Sequence, residues 1–171
     1  TSSLVLHKLD SGTWTLSGDS GLRGPTVVSN GTLMIRGALT DPGNAVNVMG
    51  GALAGAGAIA GPVLVANGGT LAPGAPIGTL TIGNTLTLEP GSITAIEIDK
   101  AASASDRLAG LTQVSYGGTL AVTVVTGTLA DGDAFKLFDA QSYSSAFSAI
   151  LPASPGPGLD WDTGTLAVDG T

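Results

Sequence analysis

Cysteine is absent from this 171-residue chain, and histidine occurs once, at His7. A disulfide framework is thereby excluded, and zinc or copper sites lose almost all of their usual ligands. Charge is scarce as well. Only 11% of the residues are Asp, Glu, Lys or Arg, against about 25% in an average soluble domain. The cations Lys8, Arg23, Arg36, Lys100, Arg107 and Lys136 are scattered, and the net charge is −7. Phosphate backbones and anionic lipids need clustered cations, so neither nucleic acid nor a charged membrane surface is an expected partner. No apolar run reaches the roughly 18 residues of a membrane-spanning helix, so no membrane insertion is expected. No signal peptide opens the chain; Thr1-Ser2-Ser3-Leu4-Val5-Leu6 leads directly into strand-like sequence, as in an excised module or mature fragment.

What the chain does have is glycine, 27 residues of it, set in a repeat. Gly-Thr-Leu begins at Gly31, Gly69, Gly78, Gly118, Gly127 and Gly164, with variants at Gly12 and Gly51. Gly12, Gly31, Gly51 and Gly69 follow one another at nearly even steps. A fixed period of about 20 residues marks a solenoid, in which each unit buries its apolar face only by stacking on its neighbours. After each glycine, Thr alternates with Leu, Ile or Val, as in Thr79-Leu80-Thr81-Ile82. Alternation at period two is a half-buried strand, so the rungs are those of a parallel β-helix.

The chain reads as one all-β domain, residues 1–171, with regular coils over about 12–100 and irregular coils plus a cap over about 101–171. Strands are predicted at 13–17, 26–29, 32–36, 46–49, 63–66, 79–82, 85–88, 93–98 and 118–124, and again at 159–161 and 165–168. Turn formers separate them, for example Asn30-Gly31 and Pro90-Gly91. Asn30, Asn47, Asn67 and Asn84 recur at a spacing close to that of the glycines. They suit either a stacked Asn ladder or plain turn chemistry. The stretch GGALAGAGAIAG at 50–61 demands a narrow interior or close passage of neighbouring coils. All three Phe lie at 135–147, as an end cap sealing the tube would require.

The run GTLAPGAPIGTLTIGNTLTLEPGS at 69–92 resembles the autotransporter-associated β-helix repeat, and so does the C-terminal run at 135–171. The resemblance implies a single right-handed parallel β-helix, bacterial origin, and a secreted or cell-surface location. The chain is also similar in length and texture to parallel β-helical carbohydrate-binding modules attached to bacterial xylanases. That second likeness implies a non-catalytic module that binds a plant cell-wall polysaccharide, xylan or a related hemicellulose, and targets a fused glycoside hydrolase. The alternative is a structural stem or passenger fragment of an autotransporter-type surface protein.

Candidate sites are few. Glycoside hydrolysis needs two carboxylates across the scissile bond, and the acids of the regular coils, Asp19, Asp41, Glu89 and Glu97, lie far apart in sequence. The chain is therefore read as no enzyme, and no cofactor is expected. Asp162-Thr163-Gly164 spells the aspartic-protease triplet but overlaps the Gly-Thr-Leu repeat, so a turn entering a strand explains it. Asp131-Gly132-Asp133 and Asp160-Trp161-Asp162 share an i, i+2 spacing, without the further ligands that calcium needs. Sugar rings stack on aromatic faces, which singles out Tyr143, Tyr116, Trp161 and Trp14. Tyr143 is expected to be exposed in a polar loop, and the Tyr116 hydroxyl to reach the surface beside Gly117-Gly118. Trp14 and Trp161 share parity with Leu16 and Leu159 and are expected to be structural. Outward Thr pairs (Thr13/Thr15, Thr79/Thr81, Thr85/Thr87) are not kept on every coil, so the strict Thr rows of an ice-binding plane are not met.

Overall fold

The computed structural model describes residues 4–171, so the reading of Thr1-Ser2-Ser3 lies outside the described residues. Each Gly-Thr-Leu unit of the regular coils starts a short strand whose odd and even residues face opposite sides, as the pleat requires. Thr32–Ile35 shows the pattern: Leu33 and Ile35 are buried, while Thr32 and Met34 are half-buried. The described residues form twenty strands, and nearly all pair in parallel with the strand one coil away.

Three sheets wall the tube, and the chain visits them in turn. The first sheet has 7 strands, running from Leu6–Lys8 through Thr26–Val28, Val46–Val48, Val63–Val65, Thr85–Leu88 and Gln113–Tyr116 to Tyr143–Ser145. The second runs from Thr13–Leu16 to Ala149–Leu151, with the antiparallel Ala104–Ser105 attached at its side. The third has 5 short strands, from Ala38–Leu39 to Phe138–Ala140. The fold is therefore an all-β parallel β-helix, with the right-handed winding that crossovers between parallel strands favour. Inward columns stack like on like. Leu33, Leu53 and Leu71 form one, and Val28, Val48 and Val65 another.

The rung length is less uniform than the period predicts. In the first sheet Leu6 pairs with Thr26 and Thr26 with Val46, each one regular repeat further along the chain. Towards the C-terminus Thr85 pairs with Gln113 and Val114 with Tyr143, steps nearly half as long again. The added length goes into the corners, chiefly 99–107 and 127–137, while the ladders continue with register shifts at Ile98/Asp99 and between Leu108 and Leu111. At 50–61 the glycines answer the close passage of coils. A Cβ on Gly55, which has φ of 111°, would strike the Ile35 carbonyl oxygen of the coil before it.

The asparagine ladder does not form. Asn30 and Asn84 each accept the N–H of the next residue, at 2.8 and 2.9 Å, while Asn47 stacks between Val27 and Leu64. The strand expected at 165–168 is a turn instead, and 159–161 is irregular, with only an isolated bridge between Gly156 and Leu159. There the N–H groups of Leu166 and Val168 donate back to the carbonyls of Thr163 and Thr165. This tail folds across the end of the tube. The Gly170 carbonyl accepts the N–H groups of Leu137 and Phe138, and Leu166 is buried.

The cap is aromatic, as the Phe distribution predicts, but Tyr116 is its centre. Its ring lies 4.9 Å from Phe147, 5.0 Å from Phe138 and 6.2 Å from Tyr143. In the first coil Lys8 takes an inward position, in the column of Val28, and is fully buried. Its ammonium reaches the Asp10 carboxylate, the carbonyls of Asp10 and Asn30, and the Trp14 ring, whose centroid is 5.4 Å away.

Candidate functional site

The four aromatics singled out by the sequence do not come together on one surface. Tyr116 is 3% exposed, and its hydroxyl donates to the Leu166 carbonyl at 2.9 Å. Burial pushes its phenol well above the usual range. The expectation that this hydroxyl reaches the surface is thus corrected: Tyr116 shares parity with Val114, and the tail closes over it. Tyr143 is also inward. It continues the column of Leu86 and Val114, packs against the core, and its hydroxyl accepts the Ala140 N–H at 3.1 Å. The polar loop around it, 141–145, begins the last coil of the first sheet, which is why exposure was the wrong expectation.

Trp14 occupies the Leu33 column but belongs to the first coil, so no described coil covers it and 40% of its surface is exposed. Trp161 sits in the tail, half-buried, with its indole N–H donating to the Pro152 carbonyl at 2.7 Å. Of the four, Tyr116 lines one small groove, and Trp161 alone lines a second, larger one at the C-terminal end.

That groove, of about 590 Å³, lies where the corner 127–137 and the tail 155–165 meet the last strands of the second sheet. Its floor is apolar, formed by Ile98, Leu120, Val122 and Ile150, and Phe135 and Trp161 add aromatic surface. Both acidic triplets, Asp131-Gly132-Asp133 and Asp160-Trp161-Asp162, line it. Asp133 forms an ion pair with Lys100, whose ammonium holds the carboxyl below its ordinary range, and also accepts the Ala130 N–H at 2.8 Å. Asp162 accepts the Gly164 N–H at 2.8 Å, the short loop that makes 162–164 a turn. Ionised carboxylates accept and never donate, so the rim suits a ligand that donates.

The outward face of the second sheet is a different kind of surface. Thr13, Thr32, Ala52, Thr70, Ile93, Thr119 and Ala149 fall in one register-linked row without a charge. Thr is interrupted by Ala and Ile, so its hydroxyls form no continuous ladder. Sequence reasoning also passed over Asp106. This carboxylate is 1% exposed, accepts the N–H groups of Gly78 at 3.0 Å and Glu97 at 2.8 Å, and joins two coils. The neighbouring Arg107 hides its isolation in the sequence, but that guanidinium turns away to Asp139 at 2.8 Å.

Residues 6–35 match the family described as passenger-associated-transport-repeat. The matched stretch spans Leu6–Lys8, Thr13–Leu16, Thr26–Val28 and Thr32–Ile35, two coils already stacked in both of the larger sheets. The match agrees with the resemblance to autotransporter-associated β-helix repeats, on a different part of the chain. No curated protein matches the chain.

Proposed function

We propose that this chain is a segment of the β-helical stem of a bacterial passenger protein displayed outside the cell. The observation that carries the reading is the coincidence of the matched repeat with two stacked coils, residues 6–35, whose ladders then continue into the later coils. A stem needs length and a surface that stays soluble. Stacked rungs add about 4.8 Å each, and Thr in the outward rows supplies polar surface with few charges. In this reading the chain is non-catalytic, and its acids serve turns, ion pairs and the groove rim.

The carbohydrate-binding reading, with xylan as partner and a fused hydrolase, has no specific observation in its favour, since the four aromatics form no shared platform. The stem reading is tested on intact cells of the source bacterium with an antibody raised against the purified domain. Labelling without permeabilisation is expected. Labelling only after permeabilisation refutes it.

A further inference from the structure

We propose that the groove at the C-terminal end binds a short extended peptide carrying both basic and aliphatic side chains. Its volume of about 590 Å³ falls within the roughly 300–1,000 Å³ of ligand sites, and its floor is carbon. The charge on the rim is what selects the ligand. Asp131, Asp160 and Asp162 have no ion-pair partner among the described residues, whereas Asp133 is neutralised by Lys100. Among the described residues every Lys, and every Arg but Arg36, is paired with another acid. Lys8, Arg23, Arg107 and Lys136 are paired with other acids, and Arg36 sits on the Met34 sulfur. An apolar floor under uncompensated carboxylates is complementary to an aliphatic stem ending in an ammonium or guanidinium.

A saccharide fits this geometry less well. Its hydroxyls would lose water over Ile98, Leu120, Val122 and Ile150 with nothing to replace it. Leucine and the stem of lysine incur no such cost, and Thr163 at the groove offers a hydroxyl to a peptide backbone.

The test uses the whole chain carrying Trp14→Phe, so that tryptophan emission reports from Trp161 alone. The probe is acetyl-Leu-Lys-Leu-Lys-Leu-amide, titrated by fluorescence and by calorimetry. Saturable binding is expected with Kd in the roughly micromolar to millimolar range. It should weaken several-fold as salt rises from about 20 to about 200 mM, since the rim charges are screened. Asp131→Asn combined with Asp160→Asn should weaken it about tenfold, the worth of two exposed ion pairs. Both acids are exposed, so the fold should survive, with an unchanged far-UV spectrum as the check. The proposal is overturned if the peptide does not bind, if its Lys→Ser analogue binds equally well, or if the double variant binds like the parent. Binding of xylohexaose without binding of the peptide also overturns it, and would assign the groove to a saccharide.

Discussion

Asp106 should make this protein more stable in mild acid than at neutral pH. The carboxylate is buried between two coils with two backbone N–H donors and no cation. Desolvation outweighs those hydrogen bonds, with Glu97 adding repulsion, and pushes its pKa from the ordinary 3.8 up to about 6. A carboxyl whose folded pKa is raised holds its proton in the folded state after the unfolded chain has released it. Its stabilising contribution is complete below about pH 4 and is lost as pH rises through about 6. At about 1.4 kcal/mol per tenfold change in proton affinity, the loss is about 3 kcal/mol. The other perturbed carboxyls act in a separate window. Asp10, Asp99, Asp133 and Asp139 are held low, first by Lys8, the Thr126 hydroxyl, Lys100 and Lys136 respectively. Their contributions are present above the ordinary value and fade only as pH falls below it. Maximum stability is therefore expected near pH 4, on the acid side of the usual range of roughly 5–8. Urea unfolding followed by far-UV circular dichroism from pH 3 to 8 measures it. Asp106→Asn removes the titrating group, so its stability should stay flat between pH 4 and 7. Because its NH2 cannot accept the second backbone N–H, it should be less stable than the parent at pH 4. A parent whose stability is level or rising from pH 4 to 7, or a variant that keeps the parent's slope, would refute the reasoning.

Three further outcomes follow from packing. Leu53 is 0% exposed in the middle of a Leu column, so Leu53→Ala should cost about 2–5 kcal/mol in urea unfolding. Gly55→Ala should cost about 3 kcal/mol or more, because the Cβ meets the Ile35 backbone at a φ of 111°, whereas Gly18→Ala, with open space around it, should be nearly neutral. Tyr116→Phe leaves the buried Leu166 carbonyl without its donor, costing about 1–2 kcal/mol, and should speed proteolysis within the tail 152–171 while the coils before it stay protected.

Most of the fold was legible because its two periods are physical constraints. Alternation at step two located 79–82 and 85–88 to the residue, and the regular spacing of the glycines located the second-sheet ladder from Thr13 to Thr70. The third sheet was not visible where its strands are two residues long. Ala38–Leu39 and Ala58–Ile59 are too short to show alternation, and their pairing follows only from the coils that carry them. The tail misled for the opposite reason. Its sequence alternates like a strand, but these residues fold across the end of the tube, where Leu166 is buried and local turn bonds satisfy the backbone.

The groove could have been found by applying the stacking argument to the lengthened coils. Asp131 is separated in sequence from Asp160 by the same interval that separates Asp133 from Asp162. In the regular part of the chain that interval means nothing, since the coils there are shorter. At the C-terminal end the same interval separates Val114 from its ladder partner Tyr143, and Thr119 from Ala149 differs from it by a single residue. Residues separated by the local coil length come to lie beside one another in a solenoid. Two acidic triplets that read in sequence as unrelated solvated turns are therefore brought to one place by the same lengthening that opens the corner at 127–137. Their mutual repulsion would oppose that approach, and Lys100 relieves it at Asp133 only. The remaining negative charge is left for something outside the chain to neutralise.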